Sequence, residues 1–183
     1  MLNAQKMTRT AKTHLKKPGP PEGSERAALS LLEQAKTLLQ VGQAQQAAML
    51  LLCPEPMPHR QSHVQLLCHA AMRLRHENRG QAIACAQAAH RLLPELARPL
   101  SMLATLYEDS RRRQEAITAA QRARHAKASP FELVDIGRQL SRMGDNETAL
   151  VVVKEGYDKS GQNSSLAPYA LRVAMQCADW DFV

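Results

Sequence analysis

A pattern of small and large apolar residues recurs along the chain with a period of about 34 residues. In the copy that begins at Pro130, one apolar stripe with helical spacing precedes the turn Gly144-Asp145, and a second stripe follows it. Such stripes predict two amphipathic helices joined by a turn. The stripe residues of the four visible copies are Leu31, Ala35, Leu38, Gly42 and Ala47; Leu66, Ala70, Ala82, Ala86, Ala89 and Pro94; Leu100, Leu103, Ala104, Tyr107, Ala116, Ala120 and Ala123; and Leu133, Ile136, Gly137, Leu140, Ala149, Val153 and Gly156.

The small residues of each copy indicate where two helices cross, because antiparallel helices at close range need small side chains at the crossing. The first helices supply Ala70, Ala104 and Gly137, and the second helices supply Ala82, Ala116 and Ala149. Each pair leaves an apolar face open until the next pair covers it. The sequence therefore predicts an all-α fold, an α-solenoid of antiparallel helix pairs with about four repeats plus a terminal helix.

These small residues, together with Tyr107, the Gly144-Asp145 turn and the Pro94 that ends a second helix, resemble the tetratricopeptide repeat (TPR) family. The resemblance covers residues 28 to 162 and implies a right-handed superhelix that binds other polypeptides on its concave side. One departure from the pattern is Arg73, which stands where Tyr107 has an aromatic ring, so the packing of the second repeat is open at this position.

Charge divides the chain into regions. The net charge is +7, and residues 1–26 hold six of the Lys and Arg residues against two glutamates, with few apolar residues and several prolines and glycines. We therefore predict a basic disordered arm at 1–26 and a TPR array at 27–162. Residues 163–183 are predicted to be a terminal capping helix or the truncated start of a following region.

Catalysis is not expected. The chain contains no Gly-rich phosphate loop, no GxSxG motif and no Cys, His and Asp set suited to nucleophilic catalysis. His59, His63, Cys68 and His69 are close in sequence, but their spacing does not suit a compact zinc site. We therefore expect no metal and no cofactor.

The cysteines and the apolar runs bear on location. The four cysteines form no CxxC pair, no signal-peptide stretch opens the chain, and the longest wholly apolar run, at 47–53, is far too short to cross a bilayer. We expect a cytoplasmic protein without a membrane-spanning segment. An aromatic content of 3% leaves few rings to stack on bases, which disfavours nucleic-acid binding.

The first helix of each pair is expected to line the concave side of the stack. The TPR resemblance implies partner-binding positions at Lys36, Arg75, Arg98, Thr105, Glu108, Asp109, Phe131, Arg138 and Arg142, with Val64, Leu67 and Ala71 on the same face. The arginines make this face predominantly basic, so an acidic or extended polypeptide is the leading ligand class. Glu108 and Asp109 disfavour a uniformly acidic ligand.

Two alternatives remain for this scaffold. One is a free-standing basic adaptor that contacts RNA or an acidic partner through residues 1–26. Another arises because the segment LRVAMQCADWDF resembles the end of the TPR region in SPINDLY-type O-linked N-acetylglucosamine transferases. The matching residues are Cys177, Asp179, Trp180, Asp181 and Phe182. The likeness implies the substrate-selecting, non-catalytic part of such an enzyme, whereas Trp180 could equally be a hydrophobic cap on the last helix.

Overall fold

The computed structural model describes residues 22–53 and 59–177, which form nine α-helices. These helices are α1 (Glu22–Gln40), α2 (Ala44–Leu51), α3 (Arg60–Leu74), α4 (Arg79–Leu92), α5 (Ala97–Asp109), α6 (Arg113–Arg124), α7 (Pro130–Arg142), α8 (Asn146–Lys159) and α9 (Ala167–Gln176). Consecutive helices pack as the pairs α1/α2, α3/α4, α5/α6 and α7/α8, and α9 packs on α7 and α8. The predicted all-α solenoid of four pairs plus a terminal helix is confirmed.

The predicted helix crossings are fully buried. Ala70, Ala104, Ala82, Ala116 and Ala149 are each at most 1% exposed. The helices α7 and α8 approach each other closely at Gly137 and Gly156. A Cβ atom on Gly137 would overlap Cγ2 of Val153, and one on Gly156 would lie 2.9 Å from the Pro130 carbonyl oxygen. Two glycines therefore allow the fourth pair to pack more closely than alanine would permit.

The predicted turn at Gly144-Asp145 lies between α7 and α8. Gly144 has φ of +81°, a left-handed conformation that glycine adopts without strain. Asp145 then caps α8 by accepting a hydrogen bond from the Thr148 amide, 3.4 Å away. In the third repeat the corresponding turn contains Arg111 with φ of +59°, so a non-glycine residue holds the left-handed position there.

Two loops between repeats are joined by backbone hydrogen bonds. The Lys127 amide donates to the Glu95 carbonyl at 2.7 Å, and the Ala97 amide donates to the Lys127 carbonyl at 3.1 Å. The loop before α5 and the loop after α6 thus form a short parallel bridge between Leu96 and Lys127. We call this pair of hydrogen bonds the clasp. It fixes where α5 begins relative to the end of α6.

The predicted start of the array at residue 27 is too late, because α1 begins at Glu22. A proline inside a helix would remove a backbone hydrogen bond, because proline has no amide hydrogen. The last proline before α1 is Pro21, so no proline interrupts residues 22–26. Residues 22–26 can therefore join the helix. The rest of the predicted arm, residues 1–21, lies outside the described residues.

The second repeat packs without an aromatic residue at the position of Tyr107. Arg73 points to solvent in the last turn of α3, with its Nε atom 3.5 Å from Nε2 of His69. The neighbouring Leu74 is 0% exposed and completes the core.

The described helices are each too short or too polar to span a membrane.

Candidate functional site

The first helices α1, α3, α5, α7 and α9 form one face of the array. Each contacts the next first helix, while the second helices contact one another more sparsely. This asymmetry curves the stack so that the first helices line its concave side. Three cavities follow one another along this face.

The central cavity lies between α3, α5 and α7 and has a volume of about 560 Å³. We call it the central groove. Its lining residues are Met72, Arg75, Arg98, Ser101, Met102, Thr105, Glu108, Asp109, Glu132, Asp135, Arg138, Gln139 and Arg142. Seven of the nine predicted partner-binding residues are in this set, and the structure therefore brings them to one place.

The central groove is not predominantly basic. Four arginines line it, but so do four carboxylates. Arg75 forms a two-point ion pair with Asp109, with Nε–Oδ2 at 2.5 Å and Nη2–Oδ1 at 2.9 Å. The hydrogen bond from Arg75 lowers the pKa of the Asp109 carboxyl below its ordinary value. The expected excess of positive charge is thus neutralised within the protein.

The same neutralisation continues along α7. Arg142 binds Glu108, with Nη2–Oε2 at 3.0 Å, and so links α7 to α5. Arg138 pairs with Asp135 on its own helix. Asp135 lies one helical turn from Arg138 on the same helix. Glu108 lies opposite Arg142 on the neighbouring first helix.

Arg98 is the exception among the four arginines of the central groove. It is exposed in the first turn of α5, and no carboxylate of residues 22–53 or 59–177 forms an ion pair with it. The remaining carboxylate of the groove, Glu132, accepts hydrogen bonds from the amide and hydroxyl of Ser129 in the capping box of α7. Within the part of the chain that the structure describes, Arg98 is therefore the arginine of this groove without an ion pair, and Glu132 is the carboxylate without one.

A buried glutamine organises the floor of the central groove. Gln139 is 4% exposed, and its Nε2 atom lies 2.9 Å from the Ser101 hydroxyl and 3.2 Å from Asp135 Oδ2. It therefore joins α7 to α5 beneath the ion pairs. Its Oε1 atom has no hydrogen-bond partner among the described residues.

A second cavity, of about 840 Å³, lies between α1 and α3. Leu29, Leu32 and Leu66 are its apolar lining residues, and the predicted binding residue Lys36 also lines it. Arg98 lines both this cavity and the central groove. We call it the α1 cavity.

A third cavity, of about 250 Å³, lies between α7 and α9 and contains the predicted residue Phe131. Phe131 is 56% exposed and Tyr169 is 45% exposed, so two aromatic rings face solvent here. Arg138 joins this cavity to the central groove and lies 6.0 Å from the centre of the Tyr169 ring. We call it the α9 cavity.

Three positions assigned to the concave face by sequence are wrong. Val64, Leu67 and Ala71 are at most 3% exposed and belong to the core. They occupy the side of α3 that packs against neighbouring helices, so they cannot touch a ligand. Ser101, Asp135 and Gln139 were missed, although each lies one helical turn from a predicted lining residue and helical spacing could have found them.

Three consecutive arginines lie between the end of α5 and the first residue of α6, and two of them have structural contacts. Arg112 pairs with Glu115, and its guanidinium lies 4.6 Å from the centre of the Tyr107 ring. Arg113 donates a hydrogen bond to the Met143 carbonyl oxygen in the next repeat. Arg111 is exposed.

The cysteines and histidines singled out by sequence do not converge. Burial raises the pKa of Cys68 to about 11 and that of Cys85 to about 12, so both remain neutral thiols. His63 donates from Nε2 to the Leu51 carbonyl at 2.7 Å. Within the described ranges, no three His, Cys, Asp or Glu side chains are grouped closely enough to hold a metal ion.

Solved structures with a similar architecture include TPR proteins. A thermophilic TPR protein from Thermus thermophilus has a TM-score of 0.59 at 16% identity, covering 81% of this chain and 81% of its own. The pilF protein of Pseudomonas aeruginosa gives 0.58 at 14%, covering 88% and 73%. MamA of AMB-1 gives 0.53 at 12%, covering 85% of each chain. The chain therefore has the fold of the TPR solenoids. No protein-family model and no curated protein matches it.

Proposed function

We propose that this chain is a non-catalytic interaction scaffold that holds a partner polypeptide along the concave face of its first helices. The observation that carries the proposal is the convergence of seven predicted binding residues on one groove. The groove shares Arg98 with the cavity at one end and Arg138 with the cavity at the other. An open trough of this kind suits an extended chain better than a compact small molecule.

The architecture supports this choice independently of any one residue. Repeat solenoids present long concave surfaces because each pair rotates slightly relative to the last. Here that surface combines charged, polar and aromatic side chains, which is the composition of a protein interface. The expected cytoplasmic location is a separate prediction.

Site-specific photo-crosslinking tests the proposal. Thr105 on α5 and Thr118 on α6 form a matched pair, since each donates its hydroxyl to the carbonyl four residues earlier, Ser101 and Gln114 respectively. Thr105 lines the central groove and Thr118 is exposed on a second helix. A photoreactive residue at 105 should capture a partner polypeptide from native extract, and the same residue at 118 should not. Capture from 118 alone, or from neither position, would contradict the proposal.

The relationship to SPINDLY-type glycosyltransferases remains a finer hypothesis. Cys177 directly follows α9 and packs against the core, with Sγ 3.7 Å from the Ser141 hydroxyl. Residues 179–182, which carry the rest of the likeness, lie outside the described residues. Transferase motifs in a continuing reading frame would support it.

The RNA-adaptor alternative predicts salt-sensitive binding that disappears when residues 1–26 are removed.

A further inference from the structure

We infer that the concave face selects an extended polypeptide segment with one carboxylate, bound by Arg98, and an apolar side chain at each end. This inference rests on the proposed function and names the chemistry of the partner. Its basis is the charge balance of the central groove, the position of Arg98 and the exposed apolar side chains in the cavities on either side.

The charge balance limits how many carboxylates a ligand can bring. Arg75, Arg138 and Arg142 are each held by a carboxylate of the protein. A polyacidic ligand would have to displace Asp109, Glu108 and Asp135 while lying beside them, and like charges at such distances repel. A single ligand carboxylate avoids this repulsion at Arg98, which has no such pair in the described part of the chain.

The position of Arg98 strengthens this assignment. It lies in the first turn of α5, where the helix dipole disfavours a cation. No described carboxylate forms an ion pair with Arg98. A bound carboxylate would interact favourably with both the guanidinium and the positive end of α5, because both favour negative charge.

The apolar ends follow from exposed side chains that no neighbouring helix covers. Leu29 in the α1 cavity is 42% exposed, and Phe131 and Tyr169 in the α9 cavity are 56% and 45% exposed. Burying such side chains against a partner is favourable in proportion to the apolar area removed from water. The central groove is lined mainly by charged and polar side chains and contains one exposed apolar side chain, Met72, at 51%. We therefore place the two apolar ligand residues at the ends, where the exposed aromatic rings and Leu29 lie.

The spacing of the helices sets the length of the segment. Three helix-to-helix steps separate the α1 cavity from the α9 cavity, which is about 24–30 Å at the usual packing distance of about 8–10 Å. An extended chain advances about 3.3 Å per residue, so the two apolar residues are about seven to nine residues apart. The carboxylate lies nearer the α1 end, because Arg98 borders that cavity.

Selection from a random twelve-residue peptide library on the immobilised full chain tests the inference. Selected peptides should carry one Asp or Glu between two apolar residues at the stated spacing. For such a synthetic peptide, Arg98→Glu should weaken binding at least tenfold in fluorescence anisotropy. Changing the peptide's carboxylate to Lys should restore binding to that variant.

Two controls make the result specific. Arg91→Glu changes the net charge equally on an exposed residue of α4 outside the three cavities, and should leave affinity unchanged. Val151→Ala removes an exposed apolar side chain from α8 and is the control for Phe131→Ala, which should weaken binding about three- to tenfold.

The outcomes separate the inference from the function on which it rests. Peptides that bind the groove, and lose affinity with Thr105→Trp, but carry no carboxylate or ignore Arg98→Glu, overturn the inference and leave the scaffold function standing. Polyacidic peptides as the preferred ligands would also overturn it. Peptides indifferent to Thr105→Trp would overturn the proposed function itself.

Discussion

Arg75, the residue that caps the C-terminus of α3, binds Asp109 of α5 through the Nε and Nη2 atoms of one guanidinium edge, and this ion pair joins two successive first helices across the groove. The two side chains are 31% and 21% exposed, so the contact is partly shielded from solvent. It therefore belongs to the scaffold of the site as much as to its surface.

Because Arg75 lowers the pKa of Asp109, this pair stabilises the fold above the ordinary Asp value of 3.8. That stabilisation is lost as the pH falls through the lower pKa of the folded state. Asp109→Asn should reduce the free energy of unfolding by about 1 kcal/mol at pH 7. The difference from wild type should shrink steadily on acidification below about pH 4. Urea denaturation at a series of pH values measures this difference, and Asp158→Asn, at an exposed position of α8, is the control. A difference that stays constant with pH would exclude the ion pair as its cause.

Gly137→Ala tests the close packing of α7 and α8. The added methyl would overlap Val153 and lie 2.9 Å from the Ala149 carbonyl, so we expect a loss of about 1–3 kcal/mol in unfolding free energy. Gly80→Ala in α4 is the control, since its Cβ would meet only Asn78 Oδ1 at 3.7 Å. That change should be neutral or stabilise by up to about 1 kcal/mol. Chemical denaturation followed by circular dichroism measures the unfolding free energy of both variants. Equal changes in the two variants would contradict close packing of α7 and α8 at Gly137.

His63 predicts a second pH dependence, at higher pH. Burial lowers its pKa from 6.5, and its Nδ1 atom has no partner among the described residues. As the pH falls below about 6.5 the unfolded chain binds a proton that the folded chain resists, so stability decreases down to the folded-state pKa. His63→Gln should flatten the change in melting temperature between pH 7.5 and pH 5.5. His125→Gln, in the exposed turn after α6, should keep the wild-type slope. An unchanged slope in His63→Gln would contradict this assignment.

Arg113 ties the third repeat to the fourth through the Met143 carbonyl. Arg113→Ala removes that donor and should lower the free energy of unfolding by about 1 kcal/mol. Arg111→Ala, which changes an exposed neighbour without such a contact, should have little effect. The two variants can be compared by urea denaturation at the same pH. Equal losses of unfolding free energy in the two variants would show that the hydrogen bond from Arg113 to the Met143 carbonyl does not stabilise the fold.

The fold was predictable because helix crossings need small residues at fixed spacing. Ala104 and Gly137 mark the crossings directly in the sequence, and both are buried as expected. The start of α1 was missed, since a short polar segment such as 22–26 carries no apolar stripe. The start of α1 depends on where the prolines end, and the spacing of apolar residues gives no information about that position.

The charge of the groove was not predictable in the same way. Sequence places Arg75 and Arg142 on the concave face, but their partners, Asp109 and Glu108, belong to another helix. Pairing between helices depends on how neighbouring repeats are rotated, which a repeat frame does not specify. That is why Arg98 differs from the other arginines only once the three-dimensional contacts are known.

The clasp between Glu95, Ala97 and Lys127 has a mechanical consequence. Arg98 follows Ala97 directly, so the residue proposed to hold the ligand is fastened to a point where two loops are joined through their main chains. A pulling force on Arg98 from a bound segment would therefore act on both loops, because the hydrogen bonds of the clasp connect them. The third repeat should thus act as a rigid anchor, and stretching of the array should begin in the repeats on either side of it.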